Sequence, residues 1–352
     1  MTILVLDGGM GATLEELGHD CSGPMWGSEL ITRDPSAIAA AHKGFVEAGA
    51  DIISTATYQL STESLTRAGY APESHPALLG TAVQLAATEA RGKSAVALSL
   101  GAYGATLPGG EEYRGFYPPP FGPRAYTEGG DNTNYSSGAE LEGHVAALAQ
   151  WHLDRLRLYA ADRTWDSIED LAFETVPTIS EYRGIRRAVA ALYAELPVSA
   201  RRPRFWIASA FPNRQHPQQN GDGGRVSVAE LVAAALEGDG ARPDALGINC
   251  TAPAELETLV PEYTAAVAQH AGPAPWLVIY PDGGDILDFE NRKWIRQPGQ
   301  SPPEWAARLL RIARAAEQAG DGKTWGGVVV GGCCGAMFSK IEALRKALRE
   351  EA

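Results

Sequence analysis

Short apolar runs alternate with longer amphipathic stretches along nearly the whole chain. Nearly continuous apolar runs of this length are typical of strands that are buried on both faces of a parallel sheet. Strands are predicted at Ile3–Leu6, Asp51–Ser54, Ser94–Leu100, Ile168–Phe173, Arg204–Ser209, Ala245–Ile248, Trp276–Tyr280 and Gly326–Val330.

The amphipathic stretches between these strands have the period of helices. Helices are predicted at Pro35–Ala48, His75–Ala90, Ala139–Ala161, Thr178–Glu195, Ser227–Leu236, Ala254–Gln269, Pro303–Ala319 and Ser339–Arg349. Thr178 is a suitable N-cap, because Glu181 follows it three residues later. Eight strand–helix units in 352 residues give 44 residues per unit. This number of units favours a closed (β/α)₈ barrel over an open doubly wound sheet. We expect the barrel to form one domain over residues 1–352.

Three longer segments interrupt this alternation and are predicted to be loops. They are Gly101–Gly138, Pro212–Arg225 and Pro281–Ser301, and each is rich in glycine or polar residues. Each follows a predicted strand, which places it at the end of the barrel where active sites are built.

Composition and charge exclude several classes of protein. The chain has 45% hydrophobic and 21% charged residues, which is ordinary for a globular protein and not for a disordered one. Its 30 basic and 43 acidic side chains give a net charge of −13, which argues against binding to nucleic acid or an anionic membrane. No signal peptide or membrane span is evident, so we expect a cytoplasmic protein. Its four cysteines are too few for a secreted disulfide framework.

Three of the four cysteines follow predicted strands. Cys333 and Cys334 lie in the run Gly331-Gly332-Cys333-Cys334-Gly335, and Cys250 ends the run Gly247-Ile248-Asn249-Cys250. Successive side chains of a strand point to opposite faces, so two adjacent cysteines share a centre only if the backbone bends, as the glycines permit. The carboxyl ends of barrel strands converge on one mouth, where these three thiols can meet.

Three thiolates at one point would repel each other unless a cation held them. Sulfur ligands suit zinc, which binds four ligands in a tetrahedron. Three protein ligands therefore leave one position open for water or a substrate thiol, as in a catalytic site. Two alternatives remain: the cysteines pack as small hydrophobic residues, or the adjacent pair forms a redox-active disulfide. Cys21 belongs to no motif, and we expect it to take no part in the site.

Two carboxylates also follow predicted strands. Asp7 precedes Gly8-Gly9-Met10-Gly11, where exposed backbone N–H groups and one anion suit an amino-acid ligand. A helix-capping Asp in a tight turn is the alternative, and a phosphate loop would lack its usual Gly-Lys-Ser/Thr ending. Glu174 follows the fourth strand, where an unpaired carboxylate is costly. Its partner is either a substrate ammonium group or a neighbouring Arg or Lys.

Taken together, these segments resemble the homocysteine S-methyltransferase family. The segments that carry the resemblance are Asp7–Gly11, Thr55–Gln59, Phe173–Thr175, Gly247–Cys250, Tyr280–Gly284 and Gly331–Gly335, in family order. The resemblance implies a barrel fold, methylation of homocysteine to methionine, and a zinc ion bound by Cys250, Cys333 and Cys334. These cysteines would act in catalysis through the substrate thiolate that the zinc binds.

The resemblance also implies substrate-binding residues. Asp7, the backbone at Gly8, and Glu174 would hold the amino-acid end of homocysteine, and Thr55, Tyr58 and Asn249 would complete the pocket.

The methyl donor is inferred from two further segments. Ser99–Ala105 and Glu112–Gly115 resemble the branch of the family that uses sulfonium donors, S-methylmethionine and in some members S-adenosylmethionine. Betaine-using relatives carry a C-terminal extension for oligomerisation, and since this chain ends at Ala352 we expect a monomer. Asp282 in place of the usual Asn, and a long segment 115–137, are departures from the pattern that bear on donor choice.

Other functions are kept as alternatives. Within the family these are a betaine-dependent or a selenohomocysteine-type methyltransferase. Outside it, a zinc-dependent hydrolase would need His and carboxylate ligands, yet none of the seven His ends a predicted strand. His42 and His144 are predicted on helix surfaces and His216 in a polar loop. A non-catalytic zinc-binding or redox-sensing barrel is the remaining alternative.

Overall fold

Eight parallel strands dominate the computed structural model, which describes residues 2–23, 25–284, 286–288, 293–295 and 297–351. In chain order the strands are β1 (Ile3–Val5), β2 (Ile52–Ser54), β3 (Ala95–Gly101), β4 (Asp170–Glu174), β5 (Arg204–Ser209), β6 (Ala245–Asn249), β7 (Trp276–Tyr280), β8 (Ile286–Asp288), β9 (Lys293–Ile295) and β10 (Val328–Val330). Strands β8 and β9 form a separate antiparallel pair, and the other eight form one sheet.

The sheet closes on itself. Its strand order is β1-β10-β7-β6-β5-β4-β3-β2, and every neighbouring pair is parallel. The two strands at the ends of this order, β1 and β2, meet at a parallel bridge between Leu6 and Ile52. There the N–H of Asp7 donates to the Ile52 carbonyl at 3.0 Å, and the N–H of Asp51 donates to Val5 at 2.7 Å. The predicted (β/α)₈ barrel is therefore confirmed.

Helices follow the barrel strands and cover the sheet. They are α1 (Met10–Glu16), α2 (Leu30–Arg33), α3 (Pro35–Glu47), α4 (Thr62–Arg67), α5 (His75–Ala90), α6 (Gly138–Ala160), α7 (Ile179–Glu195), α8 (Val228–Leu236), α9 (Leu256–Val267), α10 (Pro302–Gly322) and α11 (Phe338–Glu350). No described helix is both long and apolar enough to cross a bilayer.

The hydrophobic core has two layers. A large outer cluster packs helices against the sheet, and a small inner cluster fills the barrel. The inner cluster combines small side chains such as Ala97 and Ala172 with the large rings of Trp206 and Tyr280. Because side chains fill the barrel interior, a ligand can enter only at its ends.

Several elements differ from the sequence prediction. The short helices α1, α2 and α4 were not predicted, because four to seven residues carry too little periodicity to detect. The predicted loop 281–301 contains β8 and β9, and its residues 285, 289–292 and 296 lie outside the described residues. Strand β4 starts at Asp170, two residues later than predicted, because a 3₁₀ helix occupies Arg163–Ser167.

Candidate metal centre and substrate pocket

The loops after β6 and β10 bring three cysteines together. The sulfur atoms of Cys250, Cys333 and Cys334 all lie within 4.8 Å of one another. Cys250 and Cys333 are joined by a disulfide, with their Cα atoms 5.6 Å apart, and Cys334 is outside this bond.

The loop after β7 holds both cysteine loops through its backbone. The N–H of Cys250 donates to the Tyr280 carbonyl at 3.2 Å, and the N–H of Cys333 donates to Pro281 at 2.7 Å. The N–H of Gly283 donates to the Cys334 carbonyl, also at 2.7 Å. These bonds fix the bend that lets two adjacent cysteines face one centre, as the flanking glycines predicted.

Two buried side chains in turn hold the loop after β7. The indole of Trp305 donates to the Asp282 carbonyl at 3.0 Å, and the ammonium of Lys340 donates to the Gly283 carbonyl. Both side chains are at least 98% buried. Sequence reasoning missed them, because Trp305 on α10 and Lys340 on α11 are each one of many similar helix residues.

The three sulfurs form a suitable donor set for zinc. Zinc–sulfur bonds of about 2.3 Å in a tetrahedron place ligand sulfurs ~3.8 Å apart, which the observed cluster can reach with side-chain rotation once Cys250 and Cys333 are reduced. In the part of the chain that the structure describes, this is the one group of three or more His, Cys, Asp or Glu side chains arranged to hold a metal ion. His42 and His144 are buried, so their predicted placement on helix surfaces is wrong, whereas His216 lies in the predicted loop and is buried there.

The cysteines form part of a cavity at the mouth of the barrel. Its volume is about 1020 Å³, including the part that is open to solvent. The predicted site residues all line it together with the cysteines: Asp7, Gly8, Thr55, Tyr58, Glu174, Asn249, Cys250, Cys333 and Cys334.

Asp7 presents a buried carboxylate to this cavity. One oxygen accepts from the N–H of Ser54 at 2.7 Å, and the other from the Ser54 hydroxyl at 3.0 Å. Burial, with a smaller contribution from the charge of Glu174, raises the pKa of Asp7 to about 8. The helix-capping alternative is wrong, because Gly9 is the N-cap of α1 and no side chain caps that helix.

Glu174 is the second buried carboxylate. Burial raises its pKa to about 7, against the opposing effect of hydrogen bonds from Ser99, at 2.9 Å, and Tyr280. The alternative of a salt bridge to Arg or Lys is not found among the described residues. The charge of Arg155, whose guanidinium donates to the carbonyls of Gly101, Thr57 and Tyr58, lowers the pKa of Glu174.

Two of the predicted pocket residues are engaged in holding the backbone. Thr55 bonds through its hydroxyl to Thr57 at 2.6 Å and accepts from the N–H of Ser99 at 3.0 Å. The amide of Asn249 accepts from the N–H of Thr175 at 3.0 Å and donates to its hydroxyl at 2.7 Å. Thr175 has a φ of +57°, so Asn249 stabilises a strained residue directly after Glu174.

The glycines after Asp7 are required by close backbone packing. A Cβ atom at Gly8 would clash with the Ala336 carbonyl, and one at Gly9 would lie 2.5 Å from the Cys333 carbonyl. The N–H of Gly9 donates to Ala336 at 2.9 Å. The Asp-Gly-Gly run therefore lets β1 pack directly against the loop that carries Cys333 and Cys334.

Several residues that line the cavity were given no role from the sequence. Trp26 follows α1, and Ser54 and Ser99 donate hydrogen bonds to the carboxylates of Asp7 and Glu174. Glu112 and Tyr113 lie on a 3₁₀ helix, Glu111–Tyr113, after β3. No pattern singles out Trp26, Ser54 or Ser99. Glu112 and Tyr113 were noticed only as part of a segment that resembles the sulfonium-using branch.

Comparison with known proteins agrees with this site. The family model described as homocysteine S-methyltransferase matches residues 4–348. Homocysteine S-methyltransferase 2 of Arabidopsis thaliana is 28% identical over 98% of this chain and 92% of its own length. Selenocysteine Se-methyltransferase of Brassica oleracea var. italica is 26% identical over 98% of this chain and 88% of its own.

Solved structures of one protein also match over nearly the full length. The oxidized form of the homocysteine methyltransferase MmuM from Escherichia coli has a TM-score of 0.66 and 26% identity, covering 98% of this chain and 96% of its own. Its metallated form has a TM-score of 0.64 and 25% identity, covering 99% and 96%.

Proposed function

The chain belongs to the homocysteine S-methyltransferase family, and from this we propose that it transfers a methyl group from a sulfonium donor to homocysteine. We propose zinc as its metal and Cys250, Cys333 and Cys334 as the ligands. S-methylmethionine is the donor we favour, and S-adenosylmethionine is a second candidate. The metal proposal is supported by the sulfur cluster and by the metallated form known for MmuM.

The charge of the cavity carries this proposal. Asp7, Glu112 and Glu174 all line it, and no Lys, Arg or His side chain does so among the described residues. Buried carboxylates without cationic partners are costly, so the cavity is suited to ligands that bring positive charge. Homocysteine brings an ammonium group, and a sulfonium donor brings a charged sulfur.

The same charge argument separates the candidate donors. S-methylmethionine and S-adenosylmethionine carry a sulfonium, an ammonium and a carboxylate, so each has one excess positive charge. Betaine has no excess charge, so an acidic cavity favours it less than a sulfonium donor. A hydrolase is disfavoured because no His of the described residues lines the cavity as a zinc ligand or general base.

The reaction places few demands on acid–base chemistry. Held by Cys250, Cys333 and Cys334, zinc would lower the pKa of the homocysteine thiol, whose proton would pass to solvent. The thiolate sulfur forms a bond to the donor methyl carbon while the bond from that carbon to the sulfonium sulfur breaks. The donor leaves as a neutral thioether, so no general acid is needed. The residues of the chain act by positioning, with Asp7 and Glu174 holding the substrate ammonium group.

The proposal is tested by supplying reduced, zinc-loaded protein with homocysteine and one donor at a time. We expect methionine from S-methylmethionine, and little or none from betaine. S-adenosylmethionine, in direct competition, decides between the two sulfonium donors. Methylation with betaine alone would contradict the donor assignment, and formation of product by protein without zinc would contradict the metal assignment.

A further inference from the structure

Glu112 differs from its neighbour Glu111 in that no Arg, Lys or His of the described residues forms an ion pair with it. Glu111 accepts from the guanidinium of Arg114 at 2.5 Å and from the N–H of Phe116 at 3.3 Å. The cation of this short segment is therefore already engaged. Glu112 lines the cavity and is 93% buried, and its Oε2 has no hydrogen-bond partner.

An unsatisfied buried carboxylate oxygen is unfavourable unless a ligand completes it. Burial raises the pKa of Glu112, with a further contribution from the charge of Glu111. Among the described residues, no cationic side chain opposes these effects. The oxygen thus points to a partner that comes from outside the chain and carries positive charge.

Glu112 lies on the loop after β3 and lines the same cavity as the three cysteines. Asp7 instead interacts with Glu174, and both of these carboxylates already accept hydrogen bonds from serine side chains. The cavity therefore has one pair of carboxylates linked to each other and one carboxylate, Glu112, on a separate loop.

We propose that Glu112 binds the positive charge of the methyl donor, while Asp7 and Glu174 bind the ammonium group of homocysteine. The proposal rests on the function proposed above and assigns the donor site to the loop after β3. The ligand class is a cationic sulfonium amino acid, and the donor methyl must lie next to the thiolate sulfur at the cysteines. In this position Glu112 screens the sulfonium charge before transfer and is left with a neutral thioether afterwards, which favours product release.

The test is the variant Glu112→Gln, which removes the charge and keeps the shape. With S-methylmethionine as donor, we expect the KM for the donor to rise about tenfold or more, while the KM for homocysteine stays within about twofold. Calorimetric titration of zinc-loaded protein with S-methylmethionine, without homocysteine, should show the same loss of affinity. The variant Glu112→Asp keeps the charge on a shorter side chain, so its affinity for the donor should lie between those of the wild type and Glu112→Gln.

Glu128→Gln is the matched control, because Glu128 is an exposed carboxylate in the same loop. We expect it to behave as the wild type. Unchanged donor affinity in Glu112→Gln, or an equal loss of affinity for both substrates, would overturn the assignment. The proposed function fails separately if none of the sulfonium donors allows the wild type to methylate homocysteine. The titration still measures the role of Glu112 in that case.

Discussion

Asp7 occupies a position that is unfavourable for a carboxylate in the absence of ligand. Its pKa in the folded protein is about 8, against an ordinary value of 3.8, because burial removes water from the charged form. Folding stability from this group is fully present below about pH 3.8 and is lost as the pH rises through about 8. A substrate ammonium group would restore it by pairing with the charged carboxylate.

The variant Asp7→Asn removes this titration. We predict that, without ligand, its melting temperature rises relative to the wild type as the pH increases from 5 to 8, since Asn cannot ionise. We also predict that its KM for homocysteine rises about tenfold or more, because the ammonium group loses a charged partner. Scanning calorimetry at several pH values and steady-state kinetics measure the two effects. A melting-temperature difference that is independent of pH would contradict the account of Asp7.

Cys334 and Cys21 provide a second test at the residue scale. Cys21 is buried, contacts the Gly11 carbonyl at 3.9 Å, and is not part of the sulfur cluster. We predict that Cys334→Ser lowers zinc affinity about tenfold or more, whereas Cys21→Ser keeps the zinc of the wild type. Elemental analysis after dialysis against a competing chelator measures this. Equal zinc retention in both variants would contradict the assignment of Cys334.

At the scale of elements, a buried network connects helices α6 and α7 to the loop that carries Glu112. Glu181 on α7 accepts from the N–H of Tyr103 and the hydroxyl of Tyr117, both at 2.6 Å, and from His152 on α6 at 2.9 Å. The Tyr117 hydroxyl also accepts from the N–H of Gly104 at 3.1 Å. The start of the loop after β3 is thereby fixed to the outer helices.

The variant Tyr117→Phe should loosen this loop. We predict a loss of about 1–3 kcal/mol in the free energy of unfolding, because Glu181 and the Gly104 N–H each lose a buried partner. If the loop positions the donor, the KM for the donor should rise while that for homocysteine changes little. Tyr135→Phe is the control, since Tyr135 is 38% exposed. Equal effects of the two variants on stability, measured by chemical denaturation, would rule out this role for Tyr117.

Thr178 and Glu181 show what local sequence patterns can and cannot predict. The Thr178 side chain caps α7 by accepting from the Glu181 N–H at 3.3 Å, as the spacing predicts. The Glu181 carboxylate, however, turns to the network with Tyr103, Tyr117 and His152. Those three residues come from other parts of the chain, so no local pattern reveals their contact. Capping is a local interaction, whereas a buried network depends on tertiary packing.

At the scale of the whole molecule, the barrel explains why much of the site could be predicted. Parallel strands end at the same mouth, so Asp7, Glu174, Cys250 and Cys333 meet there although they are far apart in the chain. Residues that directly follow different strands therefore lie close together in the folded protein. The pairing of Cys250 with Cys333 and the missing partner of Glu112 could not be predicted, because they depend on loop geometry that follows no period.

We propose that this site methylates homocysteine by means of a metal bound to Cys250, Cys333 and Cys334. The most direct measurement uses homocysteine labelled with carbon-13, S-methylmethionine and reduced protein, with zinc either loaded or removed by a chelator. The label distinguishes methionine made from the acceptor from methionine left by the donor. We expect labelled methionine with zinc, none after its removal, and recovery when zinc is restored. Protein that holds one zinc per chain but forms no labelled methionine from any sulfonium donor would contradict it.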